Sequence, residues 1–203
     1  MILNVHKLPA LNGLVLAGGK SRRMGTAKDL IQWHGKEQRY YTADLLHHCC
    51  DEVFISCRQE QEKEINTAYK ALPDSFLNMG PLGGILSAFR SQPDKAWLVV
   101  ACDLPLVNKK TLEHLIKNRA DTKIATAYES PVDGLPEPLI TIWEPASYPV
   151  LLNFLGQGIT CPRKVLIQNK ALLLKPLQPE TLMNVNTPEE AVTVKEMIDN
   201  GKQ

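Results

Sequence analysis

Short apolar runs of strand length alternate along this chain with segments whose apolar positions recur at helical spacing. Gly13-Leu14-Val15-Leu16-Ala17 is apolar throughout and ends on Gly18-Gly19, so it predicts a buried strand running into a loop. Val53-Phe54-Ile55-Ser56 predicts a second strand, and Ala96-Trp97-Leu98-Val99-Val100-Ala101 a third that stops at Cys102-Asp103-Leu104-Pro105. Between the first two, Tyr41, Leu45, Leu46 and Cys49 fall on one helical face, the crossover that a parallel pair requires. Further helices are predicted over Gln59 to Tyr69, after the loop Asn78 to Gly84 with Ile85, Leu86 and Phe89 turned inward, and over Lys109 to Arg119. Lys123 to Tyr128 reads as a strand.

The pattern then changes. Pro131, Pro136, Pro138, Pro145 and Pro149 divide the next segment, in which Leu139 to Trp143 is the clearest strand and a short helix falls near Ser147 to Leu155. Inserted hairpins and short helices are expected in this half. Thr187 reads as an N-cap and Pro188 as the first helical residue, so a final helix runs to about Asp199. Alternating strands and helices predict an α/β fold, a three-layer domain with a mainly parallel sheet and helices on both faces. With 203 residues, 44% of them hydrophobic, one core and one domain are expected over the whole chain.

Charge narrows the partners. A formal net charge of +1, with Lys and Arg scattered along the chain, offers no basic field for a nucleic-acid backbone. Five cysteines, an odd number without the paired spacings of a zinc site, fit a reduced cytoplasmic setting. The apolar run at Leu14 to Ala17 is too short for a signal-peptide core or a membrane span. A soluble, cytoplasmic protein is expected.

Candidate chemistry begins in the segment Leu16 to Lys28. Gly18 and Gly19 let backbone N–H groups approach an anion with no Cβ in the way, while Arg23 and Lys28 neutralise phosphate charge. Gly19-Lys20-Ser21 is not a P-loop, because Leu14 stands where that motif needs its first glycine. A glycine turn backed by solvated basic residues is the plainer explanation; the whole combination after a buried strand favours a triphosphate. Asp103 lies just past a strand's carboxyl end, where ligands gather in open α/β sheets, and a carboxylate there suits Mg²⁺. An Asx turn before Leu104-Pro105 accounts for it equally well. Asp74 and the loop at Gly80 could serve a base or ribose, though alone they read as a tight turn. Asn184 and Asn186 alternate in an extended segment and point to the same side, which leaves them as candidate ligands of an acceptor. The five histidines show no metal or triad spacing.

Taken in order, Leu16-Ala17-Gly18-Gly19, Arg23-Met24-Gly25, Lys28, Gly80-Pro81-Leu82-Gly83-Gly84, Cys102-Asp103-Leu104-Pro105 and Asn184-Val185-Asn186-Thr187-Pro188 resemble the molybdenum cofactor guanylyltransferases over nearly the whole chain. The resemblance implies a Rossmann-like fold and transfer of GMP from GTP to molybdenum-molybdopterin, with Mg²⁺ and release of pyrophosphate. It implies that Leu16, Ala17, Gly18, Gly19, Lys28, Asp74, Gly80 and Asp103 bind GTP, with Asp103 on the metal. Arg23, Lys28 and Asp103 would carry catalysis, and Asn184 and Asn186 would bind the acceptor. Residues about 11–107 would then form the nucleotide part and 108–203 the acceptor part. Transient contacts with other cofactor-biosynthesis proteins or molybdoenzymes would follow, without nucleic acid or membrane. The chain departs from the family at Ala27, where an aspartate is frequent, at Glu37-Gln38, where a proline is usual, and at Ser56, where relatives have an asparagine contact. Other nucleotidyltransferases, using CTP with a pterin or an NTP with a sugar phosphate, share the opening loop; a non-catalytic nucleotide-binding protein would keep the loop without turnover.

Overall fold

The computed structural model describes residues 8–18 and 28–201. Elements follow in the order β1 (Leu11–Leu16), α1 (Gln38–His47), β2 (Val53–Cys57), β3 (Lys70–Pro73), α2 (Pro81–Ser91), β4 (Ala96–Ala101), α3 (Lys109–Lys117), β5 (Ala125–Glu129), β6 (Pro136–Trp143), α4 (Ser147–Gly156), α5 (Pro162–Gln168), β7 (Leu172–Leu174) and α6 (Pro188–Asn200). The described strands form one sheet in the order β3-β2-β1-β4-β6-β5-β7. All are parallel except β6, which runs against both β4 and β5.

Alternation along each central strand splits the core into two layers. Val15, Ile55, Leu98 and Val100 turn to one face and pack with Ala43 and Leu46 of α1 and Leu112 and Leu115 of α3. Leu14, Trp97, Val99 and Trp143 turn to the other, against Ile85, Leu86 and Phe89 of α2, Leu151 of α4 and Val165 of α5. Helices therefore cover both faces, which is why β4 is buried along its whole length and apolar at every position. A third, smaller cluster joins Trp33 to Val185, Val194 and Ile198, fastening α6 beside the segment that follows Lys28. Among the described residues, no helix is long and apolar enough to cross a membrane.

Two expectations are corrected. Gln59–Glu64 forms a 3-10 helix rather than the start of a helix reaching Tyr69, and Lys70–Pro73 pairs in parallel with β2. Asn66 accounts for the break, since its Oδ1 accepts a hydrogen bond from the Ala68 N–H at 2.9 Å and turns the chain into the sheet edge. Strand β6 also starts at Pro136, three residues before the expected Leu139. Its prolines are tolerated because pairing with β4 begins only at Ile140, so on that side β6 has run past its neighbour.

Glycine fixes how closely α2 approaches the sheet. A Cβ on Gly84 would lie 2.5 Å from Ser56 Oγ and 2.7 Å from Leu16 Cδ2, and one on Gly83 would lie 2.4 Å from the Phe76 carbonyl oxygen. Gly84→Ala is expected to lose stability in urea unfolding, because overpacking strain of about 1–3 kcal/mol exceeds the helix-propensity gain of about 1 kcal/mol. Gly156→Ala, whose Cβ meets nothing within 4 Å, should be neutral or stabilising in the same assay.

Candidate nucleotide site

Parallel pairing brings the carboxyl ends of β1 and β4 side by side, with Leu16 opposite Ala101. The ladder continues past both strands, Cys102 N–H donating to the Leu16 carbonyl and Ala17 N–H to the Ser56 carbonyl. Gly18 and Asp103 therefore leave the sheet at one rim. A cavity of about 660 Å³ opens there, lined by Leu16, Ala17, Gly18, Lys28, Asp74, Gly80, Asp103 and Asn186, among others. A nucleotide-sized ligand fits that volume.

Eight of the positions named from the sequence meet at this cavity. Gly19 and Arg23 lie outside the described residues, as does Ala27. Asn184 is half-buried but does not line the cavity, and its Oδ1 is buried without a hydrogen-bond partner among the described residues.

Lys28 opens the 3-10 turn Lys28–Leu30, which is held from below. Asp29 is buried and sits 3.6 Å from Arg39 of α1, itself buried, while Trp33 packs into the cluster with α6. Burial raises the Asp29 carboxyl, opposed by its own backbone hydrogen bond and by Arg39. From this anchored turn the Lys28 ammonium donates to Asn186 Oδ1 at 2.6 Å and lies 3.7 Å from Asp103 Oδ2. Asp103 is 18% exposed, and its other oxygen, Oδ1, is buried with no partner among the described residues. Desolvation pushes its carboxyl up, and the Lys28 charge pulls it back toward the ionised form.

That donor set fits a divalent cation. One hard carboxylate oxygen without a protein partner is what a magnesium ion uses when waters and phosphate oxygens complete its shell. Among the described residues, no three His, Cys, Asp or Glu side chains converge into a cluster able to hold a metal by themselves.

The opposite wall is built from Ser56, Asp74 and Gly80, among others. Ser56, buried at the end of β2, donates to Asp74 Oδ1 at 2.7 Å, while Oδ2 takes no hydrogen bond among the described residues. Burial raises the Asp74 carboxyl, and the Ser56 hydroxyl opposes that shift. Gly80, at φ +56, turns the chain into α2 just before Pro81. Arg58 was not singled out from the sequence, yet it lines the cavity and donates to the Gly18 carbonyl at 3.2 Å. Its position just beyond the carboxyl end of β2 was the available signal, the same one that marks Asp103 beyond β4. Asn78, at φ +61, and Phe76 also line the cavity; no spacing in the sequence sets them apart from an ordinary turn.

Residues 13–172 match the family described as the MobA-like NTP transferase domain. The chain is 38% identical over 183 residues to a molybdenum cofactor biosynthesis bifunctional protein of Synechocystis, covering 89% of this chain and 52% of that one. It thus spans about half the length of that relative. A molybdenum cofactor guanylyltransferase of Pseudomonas paraeruginosa is 31% identical over 186 residues, covering 90% of this chain and 93% of that one. In fold, the chain is similar to molybdopterin-guanine dinucleotide biosynthesis protein A of Archaeoglobus fulgidus, with TM-score 0.78, 22% identity and coverage of 93% and 99% of the two chains. The match to the family takes in most of β1, the cavity walls other than the segment at Asn186, and the carboxylate at Asp103, and the similarity to the Pseudomonas relative covers nearly the full length of both chains. The chain accordingly belongs to the MobA-like NTP transferase domain family and, within it, to the molybdenum cofactor guanylyltransferases.

Proposed function

We propose that this chain transfers GMP from GTP to molybdenum-molybdopterin, giving the guanine dinucleotide form of the cofactor and pyrophosphate, with Mg²⁺ bound at Asp103. The observation that carries this is the meeting of Gly18, Lys28, Asp74 and Asp103 around one nucleotide-sized cavity at the carboxyl ends of β1 and β4.

The terminal phosphate oxygen of the acceptor attacks the α-phosphorus of GTP, a P–O bond forms as the bond to the β-phosphate oxygen breaks, and pyrophosphate leaves. A phosphate nucleophile is already ionised near neutral pH, so the chain needs no dedicated general base. Its task is position and charge. Lys28 meets the negative charge that grows on the phosphoryl oxygens, together with the backbone at Gly18 and Gly19 and the Arg23 guanidinium, while Leu16 and Ala17 line the wall beside the nucleotide. Asp103 would hold the metal through Oδ1, which has no partner among the described residues. A bound Mg²⁺ supplies Lewis-acid neutralisation of the phosphate charge.

Asp74 is suited to guanine. The base presents two neighbouring N–H donors, at N1 and N2; the Ser56 hydroxyl takes one lone pair of Asp74 Oδ1, leaving the other and Oδ2 to accept them. Gly80 brings backbone close to the same end of the ligand. Residues 108–203 form the acceptor part and 11–107 the nucleotide part of a single domain, with Asn184 and Asn186 on the acceptor side. The chain works in the cytoplasm, and its product reaches molybdoenzymes by transient protein contact.

Pyrophosphate release by the purified protein should appear with GTP and Mg²⁺ only when molybdenum-molybdopterin is present, and not when CTP or ATP replaces GTP. Release from CTP alone would move the chain to another nucleotidyltransferase specificity, and GTP binding without release would make it a non-catalytic nucleotide-binding protein. Asp103→Asn, close in shape but uncharged, should lower kcat about 100-fold or more, the usual scale for a preorganised electrostatic group. Turnover within about threefold of the wild type at saturating Mg²⁺ would remove Asp103 from the metal site.

A further inference from the structure

The C-terminal segment reaches the nucleotide side of the cavity as well as the acceptor side. Asn186 is 158 residues from Lys28 in sequence, yet its Oδ1 accepts the Lys28 ammonium proton at 2.6 Å, a shorter approach than the 3.7 Å between that ammonium and Asp103 Oδ2. The carboxamide contributes no charge. It can therefore fix the direction of the ammonium without consuming its positive charge, as a second carboxylate would.

The position of Asn186 is itself built. Glu190 Oε2 accepts from both the Asn186 N–H at 2.6 Å and the Thr187 N–H at 3.0 Å, and Thr187 Oγ1 in turn accepts from the Glu190 N–H. This capping box starts α6 and freezes the two residues before it. One residue earlier, the Val185 N–H donates to the Asp103 carbonyl at 2.9 Å while its side chain is buried against Trp33, Val194 and Ile198. The segment is thus tied to the metal-binding residue through its backbone and to the lysine through its side chain.

We propose that Asn186 is a positioning residue for the nucleotide half of the reaction, aiming the Lys28 ammonium at the triphosphate before any acceptor binds. The inference rests on the GTP reading above and adds to the acceptor role of Asn186. A lysine side chain has four rotatable bonds and a compact charge that finds a phosphate only if it is held. Anchoring at Asn186 removes that freedom in advance, so less of the ammonium–phosphate attraction is lost to ordering. The same contact gives the acceptor a route to the reaction centre: a ligand that engages the Asn186 carboxamide alters the hold on Lys28.

GTP and guanosine affinities, measured by calorimetry with Mg²⁺ and no acceptor, separate this role from acceptor binding. Asn186→Ala should weaken GTP binding roughly fivefold to tenfold, the scale of one hydrogen bond to a charged group, and leave guanosine binding unchanged. Lys28→Ala should weaken GTP at least as much. The double variant Lys28→Ala/Asn186→Ala should be no weaker than Lys28→Ala alone, because the amide acts only through the ammonium. Thr187→Ala removes the partner of the Glu190 N–H but leaves Glu190 Oε2 on the Asn186 N–H, so it should weaken GTP binding in the same direction as Asn186→Ala but by less, with guanosine binding again unchanged. Asn186→Ala with GTP affinity within twofold of the wild type, equal losses for GTP and guanosine, or multiplying losses in the double variant would overturn the proposal. A wild-type protein that binds no GTP would take down the nucleotide reading and this inference together.

Discussion

The parallel pairing of β1 with β4 is the constraint on which the site depends. In that register Leu16 stands opposite Ala101, so the two chains leave the sheet at the same level and on the same rim. Parallel pairing requires a crossover, and the crossovers deliver α1 and α2 to opposite faces of the sheet. A fully buried, fully apolar β4 then has no polar side chain until Asp103, the first carboxylate after the strand. A slip of β4 by one residue would exchange Trp97 and Val99 with Leu98 and Val100 between the two packed layers, so the packing that fixes the fold also fixes the height of Gly18 and Asp103.

Charge balance at that rim follows from burial. Asp103 is held where desolvation disfavours its ionised form, and Lys28 relieves part of that cost from 3.7 Å away. Lys28 is in turn secured by residues distant in sequence: Asp29 and Arg39 beneath its turn, Trp33 beside α6, and Asn186 at its tip. The cavity is thus assembled from both ends of the chain. Strand β1 gives one wall, α2 and Asp74 the second, and the segment before α6 closes the third.

Much of this is legible in the sequence because the relevant elements are central. The apolar runs at β1, β2 and β4 and the cap at Thr187-Pro188 carry strong local signals, and the structure places them within a few residues of expectation. What escaped lies at the margins. β3 and β7 are outer strands of four and three residues, too short for a periodicity to tell strand from helix or turn, and α5 is a seven-residue helix. The β5–β6 hairpin after Ser130 agrees with the hairpins expected in this half, but the seating of β6 between β4 and β5 is a non-local relation that no window of sequence contains. At the site, Lys28 and Asp103 could be named, but the hydrogen bond from Lys28 to Asn186 could not. A contact between residues 28 and 186 has no local pattern.

A crystal structure of the protein with Mg²⁺ and a GTP analogue whose α–β bridge resists cleavage tests the central claim most directly. The expected density places the α-phosphate between Lys28 and Asp103, the triphosphate along the backbone at Gly18 and the guanine against Asp74. A nucleotide seated outside this cavity, or one with its base at Asp103 and its phosphates at Asp74, would contradict it.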